Sequence, residues 1–255
     1  MNEHSAKSGA PVNALSALEL TGRARTHVRR VAALDCALHS QAAAALLALQ
    51  AAGRSAGIEL QPVSGFRDFG QQLAIWNAKF RGARALLDAA GAAVDVLALD
   101  EAQRVGAILV WSALPGASRH HWGSDCDVID RSALAAGDAV ELVAHEYGAG
   151  GRYARLSAWL DQQAHEYGFY RPYDRDRGGV QPEPWHLSFA PVAVPALAAL
   201  TPALLREALT GVDLAGRATV EAGLPLLFTR YVAAVAAAPA GALAAAALSR
   251  GARPA

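Results

Sequence analysis

Apolar positions along the chain change their period several times, and the changes outline the elements. From Val28 to Ala52 the sequence is rich in Ala and Leu and stops at Gly53, which predicts one long helix. Ile58 to Val63 then reads as a short strand entering the turn Ser64-Gly65-Phe66-Arg67. Asp68 is a suitable cap for a second helix running to Phe80. Residues 82 to 99 form an Ala- and Leu-rich, partly helical connection, and Glu101 to Ala113 a helix ended by Pro115-Gly116. Cys126 to Ile129 reads as a buried strand. Tyr153, Leu156, Leu160, Ala164 and Tyr167 recur at three- and four-residue steps, an amphipathic helix that Gly168 ends. Tyr170 to Pro184, with Asp174, Arg175, Asp176 and Arg177, reads as an exposed loop or hairpin tip, followed by a strand from Trp185 to Phe189. After Pro195 the chain returns to helix, with Val220, Leu224, Leu227, Phe228, Tyr231 and Val235 on one stripe.

Helices alternating with a few short strands predict an α+β fold, a small mainly antiparallel sheet flanked by helices. The expected division is a mobile segment over 1–27, a main domain over 28–194, a helical extension over 195–240 packed on it, and a loose tail over 241–255. Hydrophobic residues make up 53% of the 255 and charged residues 18%, enough for a substantial core. Lys plus Arg and Asp plus Glu both count 23, so no general attraction to nucleic acid or anionic membrane is expected. Cys36 and Cys126 cannot make a disulfide framework and read as reduced, buried thiols. The N-terminus lacks the apolar stretch of a secretory signal, so the sequence as given reads as cytoplasmic. Residues 231 to 249 carry no charge, but they are mostly alanine with Pro239 and Gly241 inside, so no membrane span is expected.

Among the eight histidines, His4, His27 and His39 stand isolated. The HEYG segments at 145–148 and 165–168 lack the second histidine of HExxH, since Ala149 and Phe169 stand there, which excludes that zinc-protease class. The segment SRHHWGSDCDVID, 118 to 130, is richer. His120 precedes Asp127 by seven residues, with Gly123 between them to let the chain turn. Asp127 falls in a short apolar strand, where an unpaired carboxylate is costly and a metal removes the cost. Asp125 and Asp127 alternate with Cys126 and Val128, so both acids project from one face. In Glu183-Pro184-Trp185-His186, Pro184 disfavours helix at Glu183. A bend is then needed to bring Glu183 and His186 into one site; on spacing alone they are equally a loop charge and a strand histidine.

SGFR at 64–67, SxHxxG…D from Ser118 to Asp127 and EPWH at 183–186 stand in one order. Together they resemble the VanY-type D-alanyl-D-alanine carboxypeptidases of the M15 metallopeptidases, over roughly residues 58 to 190. The resemblance implies Zn2+ in a cleft on His120, Asp127 and His186, with Glu183 as general base. It implies that Arg67 donates to the scissile carbonyl or substrate carboxylate, and that Gln72 and Ser118 hold the peptide. His121 is the alternative ligand to His120. Trp122 and Trp185 are expected to pack around the metal. Asp125 stands where the family usually has alanine; it either orients a ligating histidine or narrows the pocket. The implied partner is a peptidoglycan stem peptide or muropeptide, cut at a D,D or L,D bond to release D-alanine. A peptidoglycan endopeptidase on the same fold and a non-catalytic zinc-containing peptide-binding module are the alternatives. Such substrates lie outside the cytoplasmic membrane, which makes periplasm or cell envelope the alternative compartment.

Overall fold

The computed structural model describes residues 14–248, so most of the expected mobile segment's first half and the last seven residues of the expected tail lie outside it. Residues 14–27 do not follow that expectation. A short helix, α1 (Ala17–Leu20), is closed by a capping box between Ser16 and Glu19 and buries Leu20.

The largest departure from the sequence reading follows. In place of one helix from Val28, the chain makes the hairpin β1 (Val28–Val31) and β2 (Cys36–His39), and only then α2 (Ser40–Ser55). Asp35 turns the hairpin in the left-handed region, at φ 51°. Tertiary partners override the helical composition here. The His39 amide donates to the Gly123 carbonyl at 2.9 Å, and the Phe66 amide donates to the Ala37 carbonyl at 2.8 Å. The hairpin thus ties together two turns that later prove to carry the site. Gly123 permits this approach, because a Cβ there would sit 2.4 Å from Val28 Cγ1, and its φ is +64°.

The central sheet holds β3 (Leu60–Ser64), β6 (Asp125–Asp130), β7 (Phe169–Tyr170) and β8 (His186–Phe189) in the order β3-β6-β8-β7, all antiparallel. Between β3 and β6 in the chain lie α3 (Phe69–Phe80), the small hairpin β4 (Leu86–Leu87) and β5 (Ala93–Val94), and α4 (Glu101–Leu109). The expected partly helical connection over 82–99 is therefore that hairpin with one 3-10 turn, Val96–Ala98. The expected Asp68 cap is present, as a capping box with Gln71. Pro62 sits on edge strand β3, where its missing N–H costs no ladder bond. The register slips between Pro62 and Ser64, a bulge that brings Ser64 opposite Asp127.

Leu187 and Phe189 of β8, with Cys126 and Val128 of β6, enter one core cluster against α2 and α6 (Ala154–Gln163). Between β6 and α6 lies the single-turn helix α5 (Ala144–Tyr147). The second cluster lies on the other side and joins α3 and α4 to α7 (Ala190–Ala199), α8 (Pro202–Leu209) and α9 (Arg217–Phe228). Trp76, Ile108, Leu205, Val220 and Leu224 are fully buried there; each large apolar side chain contributes roughly 1.5–3 kcal/mol. The C-terminal helices are therefore part of the core under α3. Trp76 Nε1 and Asn77 Nδ2 also donate to the Ala215 and Asp213 carbonyls. Residues 240–248, expected within a loose tail, form α10 (Ala240–Leu248), which buries Ala242. Both cysteines are unpaired. Among the described residues no single helix is long and apolar enough to cross a membrane.

Candidate active site

Cross-strand pairing builds the site. Asp127 of β6 stands opposite His186 of β8, and Asp125 stands opposite Ser188, so these four share one face. His120 reaches the same point from a 3-10 turn, Arg119–Trp122, just before β6. One ligand atom from each of His120, Asp127 and His186 lies within 4.8 Å of the others, and all three residues are buried. His120 Nε2 is 3.5 Å and His186 Nδ1 3.2 Å from the Asp127 carboxylate. Asp127 Oδ1 is buried without a well-directed hydrogen bond from any described residue. An orphaned buried carboxylate oxygen, on a carboxylate whose two oxygens face one imidazole nitrogen each, is costly alone, and a cation resolves it. Two nitrogens and one carboxylate oxygen are a catalytic-zinc donor set, so the residues fit that ion.

The second nitrogen of each histidine fixes its role. His120 Nδ1 meets the Gly65 carbonyl at 2.9 Å, leaving Nε2 for a metal. His186 Nε2 meets Asp125 Oδ2 at 2.9 Å, leaving Nδ1. His121, the alternative ligand, has neither nitrogen free: Nδ1 bonds the Arg67 carbonyl at 2.6 Å, and Nε2 accepts from the Gly116 amide at 3.2 Å. Burial pushes both His120 and His121 down to about 4, so both are neutral at working pH. Burial acts the same way on His186, but its hydrogen bonds to Asp125, Asp127 and Glu183 outweigh it and raise its pKa.

Asp125 orients the histidine. It is wholly buried and also accepts from Arg119 Nε at 2.7 Å, Ser124 Oγ at 2.5 Å and Ser188 Oγ at 3.1 Å. Burial alone would raise its pKa; Arg119 and these donors hold it well below the usual carboxylate range. Arg119 is buried too, stacks over Trp122, and reaches Tyr170 Oη and Ser188 Oγ through Nη2. The sequence reading missed Arg119. Its signal was available: an acid inside an apolar strand needs a cation, and Arg119 lies six residues away.

The bend required at Glu183 exists. The His186 amide donates to the Glu183 carbonyl at 3.0 Å, and the Glu183 amide to the Tyr173 carbonyl at 3.0 Å. This turn brings Glu183 Oε2 to 3.4 Å from His186 Nδ1. Burial raises the Glu183 pKa. A cleft of about 280 Å³ opens over the group; Arg67, Ser118, Trp111, Tyr173, Glu183 and Trp185 line it. Arg67 Nη1 donates to Gln72 Oε1 at 2.9 Å. Gln72 itself does not reach the cleft, which corrects its expected place on the peptide. It is fully buried, and Nε2 is spent on the Ala113 carbonyl and Ser112 Oγ, so it positions Arg67. Trp185 stacks on Trp111 at the cleft, whereas Trp122 belongs to the helical core. A larger groove of about 670 Å³ lies beyond the Ser64–Asp68 turn and contains none of the metal-binding group.

Comparison with known proteins gives this geometry its context. A protein of Haemophilus influenzae described as uncharacterized is 45% identical over 98 residues, 37% of this chain and 67% of its own. A second from the same organism, likewise described, is 31% identical over 121 residues, 47% of this chain and 92% of its own. The structure of VanYB in complex with D-alanine-D-alanine is similar at 19% identity and TM-score 0.48, covering 74% of this chain and 92% of that one. The family model for VanY, D-alanyl-D-alanine carboxypeptidase, matches residues 35–192, which include every residue of the metal-binding group and cleft named above. The chain belongs to the VanY family of carboxypeptidases.

Proposed function

We propose that the chain is a zinc-dependent carboxypeptidase that removes C-terminal D-alanine from peptidoglycan stem peptides. The observation that carries this reading is the convergence of His120, Asp127 and His186 on one point, with Glu183 at its edge. His120 Nε2, the Asp127 carboxylate and His186 Nδ1 would hold the ion. Zinc bound there supplies a Lewis acid and lowers the pKa of a water at its open position toward about 7.

The protein's own groups supply the rest. Glu183 Oε2 accepts a proton from the attacking water and later returns it to the leaving D-alanine amine. Its raised pKa suits both halves of that task. Over the cycle the peptide C–N bond and one water O–H bond break, and a C–O and an N–H bond form. Arg67, fixed by Gln72, donates to the scissile carbonyl oxygen or the terminal carboxylate. Ser118, which lines the cleft, holds the peptide backbone. Asp125 keeps Nδ1 of His186 free for the ion by binding Nε2.

The test is release of D-alanine, read by mass spectrometry, from muramyl tetra- and pentapeptides by the zinc-loaded protein. Release from the pentapeptide identifies D,D cleavage and from the tetrapeptide L,D cleavage. No release from either, with zinc bound, overturns the reading.

A further inference from the structure

The loop between β7 and β8, residues 171–185, carries Glu183 and has two sides. Tyr173, Val180, Glu183 and Trp185 line the cleft. Pro172 and Gly179, each next to a cleft residue, are buried and do not line it. The ends of the loop are tied to each other: Arg171 Nε donates to the Pro184 carbonyl at 2.8 Å, and the Glu183 amide to the Tyr173 carbonyl at 3.0 Å. The turn between those ends, 174–179, is bonded within itself. Arg177 Nη2 donates to Asp174 Oδ1 at 2.9 Å, and the Gly178 amide to Asp176 Oδ1 at 2.7 Å. Bonds inside a turn shape it without fixing where it stands against the sheet.

The back of this turn is met by the C-terminal segment. Helix α9 runs on into one π-helical turn, Thr229–Ala233. Arg230 Nε donates to the Gly178 carbonyl. The Arg230 carbonyl closes on Gly179, where a Cβ would stand 2.1 Å from its oxygen, so backbone lies on backbone. Further on, the Ala236 amide donates to the Pro172 carbonyl at 2.8 Å. The segment is itself anchored, because Val232 is buried and Leu227, Phe228 and Tyr231 pack on the helical core under α3. Single π-helical turns are rare and fall mostly at functional sites. Here the π-helical turn is the part of the helix that touches the loop, and it lies beyond residue 192, where the family match ends.

We propose that residues 229–236 are a positioning element for the general base. They hold the 171–185 loop from behind, and Arg230 is a positioning residue that meets neither metal nor substrate. Among the described residues the Glu183 carboxylate pairs only with His186 Nδ1, the nitrogen left for the ion, so its placement depends on the backbone that carries it. A base must stand within hydrogen-bond reach of the proton it takes, and a shift of about 1 Å can cost on the order of 10²-fold in rate. The inference rests on the carboxypeptidase reading above, in which Glu183 is that base.

The test uses the full-length, zinc-loaded protein with Arg230→Ala, Arg230→Lys and Gly179→Ala, on the stem peptide that wild type cleaves. Arg230→Ala should lower kcat about three- to tenfold and Gly179→Ala about tenfold. KM should stay within about twofold in both, because Arg67 and Ser118 stand on other segments. Arg230→Lys keeps a donor for the Gly178 carbonyl and should recover most of the loss. Zinc per chain should not change. Hydrogen exchange read by mass spectrometry should quicken over 171–185 in the two weakened variants and stay as in wild type over β3 and β6. A kcat within twofold of wild type in both Arg230→Ala and Gly179→Ala overturns the proposal. A loss of kcat with faster exchange along the whole chain also overturns it, because that is general destabilisation. Both results leave wild-type turnover intact; if zinc-loaded wild type releases D-alanine from neither peptide, the carboxypeptidase reading fails and the positioning role with it.

Discussion

The two walls of the cleft differ in how they treat charge. On the sheet wall each ionised group is tied to a partner: Asp125 has four donors, Arg119 three acceptors, and His186 is held between two carboxylates. Elsewhere in the lining, Arg84 and Glu141 make no such bonds with any described residue. The difference separates two tasks. Placing metal ligands requires that each rotamer and tautomer be settled before the ion arrives. Selecting a substrate requires charges whose partners arrive with it.

Substitutions on the two walls should therefore fail differently. Loss of a ligand, as in His120→Ala, should abolish both zinc binding and turnover, with zinc per chain near zero by atomic emission. Glu183→Ala should retain zinc and lose about 10²–10⁴-fold in kcat, the usual worth of a general base. Arg67→Ala should cost about 10²–10³-fold if it serves the developing oxyanion. Asp125→Asn should weaken zinc binding by about 10–100-fold in a chelator competition, because His186 loses its orienting acceptor. The same change should lower the melting temperature, since Arg119 stays buried without its counter-charge. If Asp125→Asn altered peptide choice and left zinc affinity unchanged, the contrast between the walls would be wrong.

A smaller effect should come from outside both walls. The turn at Gly178-Gly179 lies on the hairpin that carries Glu183, and Arg230 Nε donates to the Gly178 carbonyl. A Cβ at Gly179 would sit 2.1 Å from the Arg230 carbonyl oxygen. Gly179→Ala should shift that hairpin and lower kcat by about tenfold, short of the loss expected when a group near the chemistry is misplaced. Zinc content should not change.

Much of the site was legible in the sequence because its signals are local. Asp127 in an apolar strand announces a partner, and the alternation of 125 with 127 sets both acids on one face. Pro184 excludes a helical pairing of Glu183 with His186, while the bend that joins them was a requirement the spacing alone did not show. Helices α3 and α6 and strands β6 and β8 follow from caps and periodicity for the same reason. What failed was set by distant contacts. Residues 28–39 have a helix-like composition, yet they become a hairpin because Gly123 and Phe66 offer backbone partners. Gln72 reads as a polar group for a ligand and turns out to be spent on Arg67 and Ala113. Arg119 sits beside a more conspicuous histidine, and only the closed sheet shows it meeting Asp125.

The most direct test of the central claim is a paired measurement on wild type and Glu183→Ala: zinc per chain, and D-alanine released from the stem tetra- and pentapeptides. One zinc in each protein, release by wild type, and loss of nearly all release by the variant is the expected result. Release that survives in a zinc-loaded Glu183→Ala protein would contradict the account, because the proton would then be moved by another group.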